Sequence, residues 1–224
     1  MYKHQIIVEY DGTNFIGWQK QKKGKSIQGT IQKILTKLLK EKILIYGAGR
    51  TDSGVHAVAQ SAHFLMKTKI NNKFIFLNSV NFFLNKKKIS ILSLNEKKQE
   101  FHARHSAKKR TYKYLIINRL ASLSLDINKA WHVKSILNIE LMKKAGKILQ
   151  GTKDFSTYRS SSCGANSAIR TLEQVKIKKE SDKIVIVFNS RSFLQQQVRS
   201  MVGCLKFVGE KKWSLKTFKH VMDS

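Results

Sequence analysis

The sequence predicts an α+β protein built as two consecutive halves. Three observations carry that expectation. A β-α-β-β order can be read twice along the chain, 42% of the residues are hydrophobic with 12 Phe among them, and a polar, charged stretch from Glu96 to Lys109 separates the two series. Each half is expected to lay helices on one face of a mixed or antiparallel sheet. The halves are drawn as 1–105 and 106–224, and no sequence repeat is visible between them.

His4–Tyr10 alternates as a strand, and Asp11–Gly12 supplies a turn signal. Ser26 then stands as N-cap before Ile27, Ile31, Ile34, Leu35, Leu38 and Leu39, a stripe of helical period. Ile43–Tyr46 reads as a short apolar strand. It runs into GAGRTDSGVHA (47–57), whose three Gly in eight residues suit neither a helix nor a strand interior. Val58–Met66 reads as a strand, Asn72–Leu84 as a helix and Ile89–Leu94 as a strand. In the second half the strands are Thr111–Ile117, Leu172–Lys178 and Lys183–Asn189. Ile139–Leu149 and Phe193–Val208 read as helices, followed by a helix-like Trp213–Met222.

The 43 Lys and Arg stand against 14 Asp and Glu, a formal net charge of +29. A surplus of that size attracts polyanions, nucleic acid first. Most of it is Lys, and the chain has no Pro, which marks a composition drift spread over the whole sequence. The runs KQKKGK (20–25) and KKK (86–88) are therefore read as solvated faces. Arg is scarcer and more telling, because its planar fork suits phosphate and carboxylate. Six of the eight, Arg50, Arg104, Arg110, Arg159, Arg170 and Arg199, fall in loops or at element ends. No apolar run reaches the roughly 20 residues of a membrane span. The N-terminus lacks a signal-peptide core, and Cys163 and Cys204 form no framework. A cytoplasmic protein with no membrane partner is expected.

The chemistry centres on Gly49 to His56. Asp52 is one of only six Asp and sits in a glycine-flanked turn directly after an apolar strand. A carboxylate on a face that binds polyanions repels phosphate, so it requires a reason to be there. Either it carries chemistry or it caps the turn. His56 is equally a loop-stabilising hydrogen bonder or a catalyst. His102 and His105 are spaced i, i+3 with no further ligand in register, so no metal is expected.

GAGRTDSGVHA resembles the signature loop of the tRNA pseudouridine synthase A family. The likeness continues through EYDG and FIGWQ between Glu9 and Gln19, FHARHSA with RTYKY (101–114), GTKDFSTYRS (151–160), Arg170–Thr171 and SFLQQQVRSMVG (192–203). The resemblance implies the pseudouridine synthase fold, two α/β halves about a catalytic cleft. It implies an isomerase that moves the glycosidic bond of tRNA uridines from N1 to C5, in the anticodon arm just 3′ of the anticodon. It also implies a homodimer and no cofactor. By motif, Asp52 corresponds to the catalytic aspartate, acting as nucleophile or base. Tyr112 corresponds to the tyrosine that stacks on the target base. Arg199 matches the basic residue that pairs with the aspartate, and Arg50 the arginine that fills the space left by the everted nucleotide. His102, Arg104 and Arg110 are either RNA contacts or solvated loop.

The chain departs from that family at three places. Gln197 stands where Met is usual and is expected to soften the packing around Arg199. Leu84–Asn85 replaces a Leu-Pro pair. The sequence stops at Ser224, where related chains continue into a last strand, so a sheet edge is expected to be unpaired or otherwise covered. The alternative to an enzyme is a non-catalytic RNA-binding or tRNA-chaperone protein on the same fold.

Overall fold

The computed structural model describes residues 1–223. The chain divides into two units, Met1–Ala107 and a second that starts at Lys108, each with its own sheet and core. In unit 1 the order is β1 (Tyr2–Tyr10), α1 (Ile27–Leu39), β2 (Ile45–Gly47), β3 (Ala57–Met66), α2 (Lys73–Leu84) and β4 (Ile89–Lys97). The four strands form an antiparallel sheet in the order β2-β3-β1-β4. Alternation in β1 buries Ile6, Val8 and Tyr10 on the core side. Ser26 caps α1, its Oγ accepting from the Gly29 N–H at 3.2 Å, while Ile27, Ile31 and Leu35 go to the core. Asn72 caps α2 in the same way through the Ile75 N–H at 3.0 Å. Tyr10 pairs with Ile89, which sets the turn before β4 beside the segment that follows β1.

Unit 2 comprises β5 (Arg110–Asn118), β6 (Trp131–Val133), α3 (Ile139–Ile148), β7 (Gly151–Asp154), β8 (Ile169–Glu180), β9 (Lys183–Ser190), α4 (Gln197–Gly209) and α5 (Leu215–Asp223). Its sheet runs β6-β5-β9-β8-β7, with β5 and β6 parallel and the rest antiparallel. The mixed character comes from β6, a strand of three residues that gives no periodic signal in sequence.

The expected helix from Phe193 is corrected. It starts at Gln197, because Gln196 sits in the left-handed region at φ 60° and breaks the run. Gln197 does more than alter packing. It is fully buried, and its Oε1 accepts from the Leu194 N–H at 2.8 Å, closing the turn that opens α4. Its Nε2 is buried without a hydrogen-bond partner among the described residues.

Tyr158 poses a sharper case in the core of unit 2. It ends a 3-10 turn at Ser156–Tyr158, is 1% exposed, and its hydroxyl has no hydrogen-bond partner among the described residues. Burial, with smaller contributions from Cys204 and Asp223, raises the phenol pKa. A buried polar atom without a partner costs about 1–3 kcal/mol, whereas the ring packs equally well without it. Tyr158→Phe is therefore expected to stabilise the protein by about 1 kcal/mol, a rise of roughly 2–4 °C in Tm. Thermal unfolding checks this, and a fall in Tm would show that the hydroxyl has a partner in solution.

Candidate active site

Asp52 lies in the loop between β2 and β3, neighbours whose Gly47 and Ala62 are paired, so the loop leaves and re-enters adjacent strands. Its first end is held by the Ala48 N–H donating to Ser61 O at 2.8 Å and by Gln60 Nε2 donating to Gly49 O at 2.7 Å. The middle rests on the segment after β1. The Trp18 N–H donates to Thr51 O at 3.0 Å, and Phe15 O accepts from the Gly54 N–H at 3.3 Å and Ser53 Oγ at 3.2 Å. Tyr10 OH lies 2.8 Å from Thr51 Oγ1. Inside the loop the Val55 N–H donates to Asp52 O at 3.2 Å, closing the turn around the aspartate. Asp52 is half-buried and Arg50, on the same loop, is exposed.

Two glycines permit this contact. A Cβ on Gly12 would lie 2.0 Å from Val55 O, and one on Gly17 would lie 2.5 Å from Thr51 O. The EYDG and FIGW stretch is thus the bed of the Asp52 loop.

Asp11 locks that bed. Its Oδ1 accepts from the Thr13 hydroxyl at 2.6 Å and the Thr13 N–H at 3.0 Å, and Lys88 Nζ stands 3.6 Å from Oδ2. His56 Nδ1 is 3.2 Å from the Gly12 N–H it accepts from, and 3.1 Å from Asp11 Oδ1. His56 is therefore a loop hydrogen bonder. The Thr13 bonds chiefly, with His56 and Lys88 helping, hold the Asp11 carboxyl down from 3.8 to about 2. A depressed carboxyl contributes stability above its unfolded value and loses it as pH falls through the folded one. The stability gap between wild type and Asp11→Asn is expected to be full at pH 7 and to shrink from pH 4 toward pH 2. Urea unfolding across that range checks it, and a gap constant with pH would remove the carboxylate from the account.

In unit 2, Tyr112 sits on β5 opposite Phe188, half-buried, with its ring edge-on to Phe193 at a centroid distance of 4.8 Å. Tyr114 shares its face of the strand. Arg199 is the third residue of α4 and exposed, and its positive charge opposes the rise that burial causes in the Tyr114 pKa. Unit 1 thus brings Arg50 and Asp52 together on one loop. Unit 2 gathers Tyr112, Tyr114, Phe193 and Arg199 around the start of α4.

His102 and Arg104 follow β4, where His63 joins the His102 and His105 pair in an imidazole cluster, a partner that sequence reasoning missed. His63 lies 4.7 Å from His102, and His102 lies 4.5 Å from His105, centroid to centroid. Burial first, then the neighbouring charges, lowers His63 to about 4 and lowers His102 as well. His63 Nδ1 accepts from the Ala103 N–H at 3.2 Å, tying this segment to β3. Arg110 donates to Arg191 O within unit 2. Alternation in β3 gives no signal for His63, because Ala62, Phe64 and Met66 face the core while His63 lies on the opposite face, covered by the segment after β4.

The family model described as tRNA pseudouridine synthase matches residues 6–113 and 145–224, which include Arg50, Asp52, Tyr112 and Arg199. The chain belongs to the tRNA pseudouridine synthase family. Among its relatives, the tRNA pseudouridine synthase A of Pelagibacter ubique is 56% identical over 224 residues, spanning all of this chain and 91% of that protein. Those of Neorickettsia sennetsu and Paramagnetospirillum magneticum are each 41% identical. The first spans 94% of this chain and 86% of the relative, the second 100% and 87%.

Proposed function

We propose that the protein isomerises uridine to pseudouridine in tRNA, in the anticodon arm just 3′ of the anticodon, with Asp52 as the catalytic residue. The observation that carries this is the Asp52 loop, a carboxylate held at a half-buried position by main-chain bonds to the segment 10–18. The reaction breaks the N1–C1′ bond, turns the base and forms a C5–C1′ bond. The C5 proton leaves and N1 gains one, so the atoms balance without a co-reactant. Asp52 supports the cleaved sugar or base as nucleophile or base. Tyr112 stacks on the everted uracil, and its edge-on contact with Phe193 supports that ring orientation. Arg50, exposed beside Asp52, fills the vacated place in the RNA, and Arg199 stabilises the carboxylate as an anion. The enzyme works without a cofactor, as a homodimer in the cytoplasm.

The test is carbodiimide mapping of unmodified tRNA after incubation with the purified protein. New reverse-transcription stops in the anticodon arm are expected. Demonstrable tRNA binding with no new stop would favour the non-catalytic RNA-binding reading.

A further inference from the structure

The lysine runs 20–25 and 86–88 are distant in sequence, and unit 1 brings their ends to one place. Lys25, Lys86, Lys87 and Lys88 line a concave pocket of about 110 Å³ with Phe15 and Asp11. The backbone fixes both runs there. The Ile16 N–H donates to Lys25 O and the Asp11 N–H to Lys88 O, each at 3.0 Å. Lys25 Nζ lies over the Phe15 ring at 4.9 Å and Lys86 Nζ over Phe82 at 5.0 Å, so two of the ammonium groups are steered by aromatic faces. Solvated lysines driven only by composition have no reason to converge, because like charges in one pocket repel.

Asp11 is the one acid in the lining, and it is already engaged. Thr13 donates to its Oδ1 through both N–H and hydroxyl, and Lys88 stands at its Oδ2. Among the described residues, Lys25, Lys86 and Lys87 make no ion pair. A ligand that satisfies them carries several negative oxygens spaced along a chain, which is the chemistry of a phosphodiester backbone. Lysine meets phosphate as a point charge and reads no base, so such a site holds register without selecting sequence. Its position suits that task. The Phe15 ring lines the pocket while the Phe15 carbonyl receives Gly54 and Ser53 from the Asp52 loop.

We propose that Lys25, Lys86, Lys87 and Lys88 form a dock for the RNA backbone, placing phosphates of the substrate tRNA against the segment that supports Asp52. The proposal rests on the reading of this protein as a tRNA-modifying enzyme. The dock governs capture of tRNA and leaves the chemical step alone.

The test is the triple variant Lys25→Gln, Lys86→Gln, Lys87→Gln, with Lys88 kept because it faces Asp11. A charge-matched control carries Lys176→Gln, Lys178→Gln and Lys179→Gln, exposed positions on β8. Direct tRNA binding across a salt series and steady-state pseudouridine formation are measured for both. The dock variant is expected to lower the slope of log Kd against log salt by about 2 to 3. Its KM at physiological salt is expected to rise about tenfold or more with kcat unchanged, each change exceeding that of the control. Equal losses in the two variants would overturn the dock and leave the enzyme reading standing. A wild type that makes no pseudouridine, with the slope still lowered only by the dock variant, would overturn the enzyme reading and leave an RNA dock.

Discussion

Asp52→Ala protein is expected to form no detectable pseudouridine while binding unmodified tRNA within about threefold of wild type. Loss of a nucleophile or general base from an otherwise intact site lowers turnover on the order of 10⁴-fold or more. Binding is spared because affinity for RNA comes mainly from phosphate contacts, to which a carboxylate contributes only repulsion. The fold is spared because the bonds around Asp52 run through main-chain atoms of Phe15, Thr51, Asp52 and Gly54, which the substitution leaves in place. Asp52→Asn keeps the shape and removes the charge, and it is expected to be equally inactive. Single-turnover assays on tRNA beside filter binding check both. Full turnover by Asp52→Ala would take the chemistry away from this residue.

Gly12→Ala is expected to be the most damaging single methyl in unit 1. The added Cβ meets Val55 O at 2.0 Å and Val55 C at 2.6 Å, both backbone atoms that cannot swing aside like a side chain. Relief requires moving the Asp52 loop off its bed, and overpacking of this kind costs about 2–3 kcal/mol. A displacement near 1 Å at a reacting group costs on the order of 10²-fold in rate, so activity is expected to fall further than stability suggests. Gly54→Ala provides the contrast. Its Cβ would meet nothing within 4 Å, and the only obstacle is the left-handed backbone at φ +75°, worth about 1–2 kcal/mol. Thermal unfolding and kcat on both variants separate crowding from dihedral strain. Equal behaviour would mean that the contact between Gly12 and Val55 is not a fixed one.

The long periodic elements were legible because local pattern and tertiary placement agree. The Ser26 cap and the Ile27, Ile31, Leu35 stripe show this in α1. β6 and β7, with three and four residues, are created by their neighbours and carry no pattern of their own. The start of α4 was misread because Phe193 and Leu194 extend an apolar run. The break at Gln196 is closed by two bonds between Leu194 and Gln197, the Leu194 N–H to the Gln197 side chain and the Gln197 N–H to the Leu194 carbonyl. Asp52 stood out as a rare acid among glycines, whereas the role of Phe15 was hidden, since a carbonyl that accepts two bonds leaves no mark on residue type. The meeting of Lys25 with Lys86, Lys87 and Lys88 follows from the pairing of Tyr10 with Ile89, a register set across most of unit 1. Sequence offered only two charged runs to be read separately.

The strand orders also bear on how the chain matures on the ribosome. β1 is an inner strand flanked by β3 and β4, so the first sheet closes when Lys97 has emerged. β5 takes its antiparallel partner from β9, which ends at Ser190. At roughly 5–20 residues per second, the first sheet has a lead of about 5–20 s over the second. The Asp52 loop can therefore take its shape on a nascent chain in which Tyr112 still lacks its partner on β9.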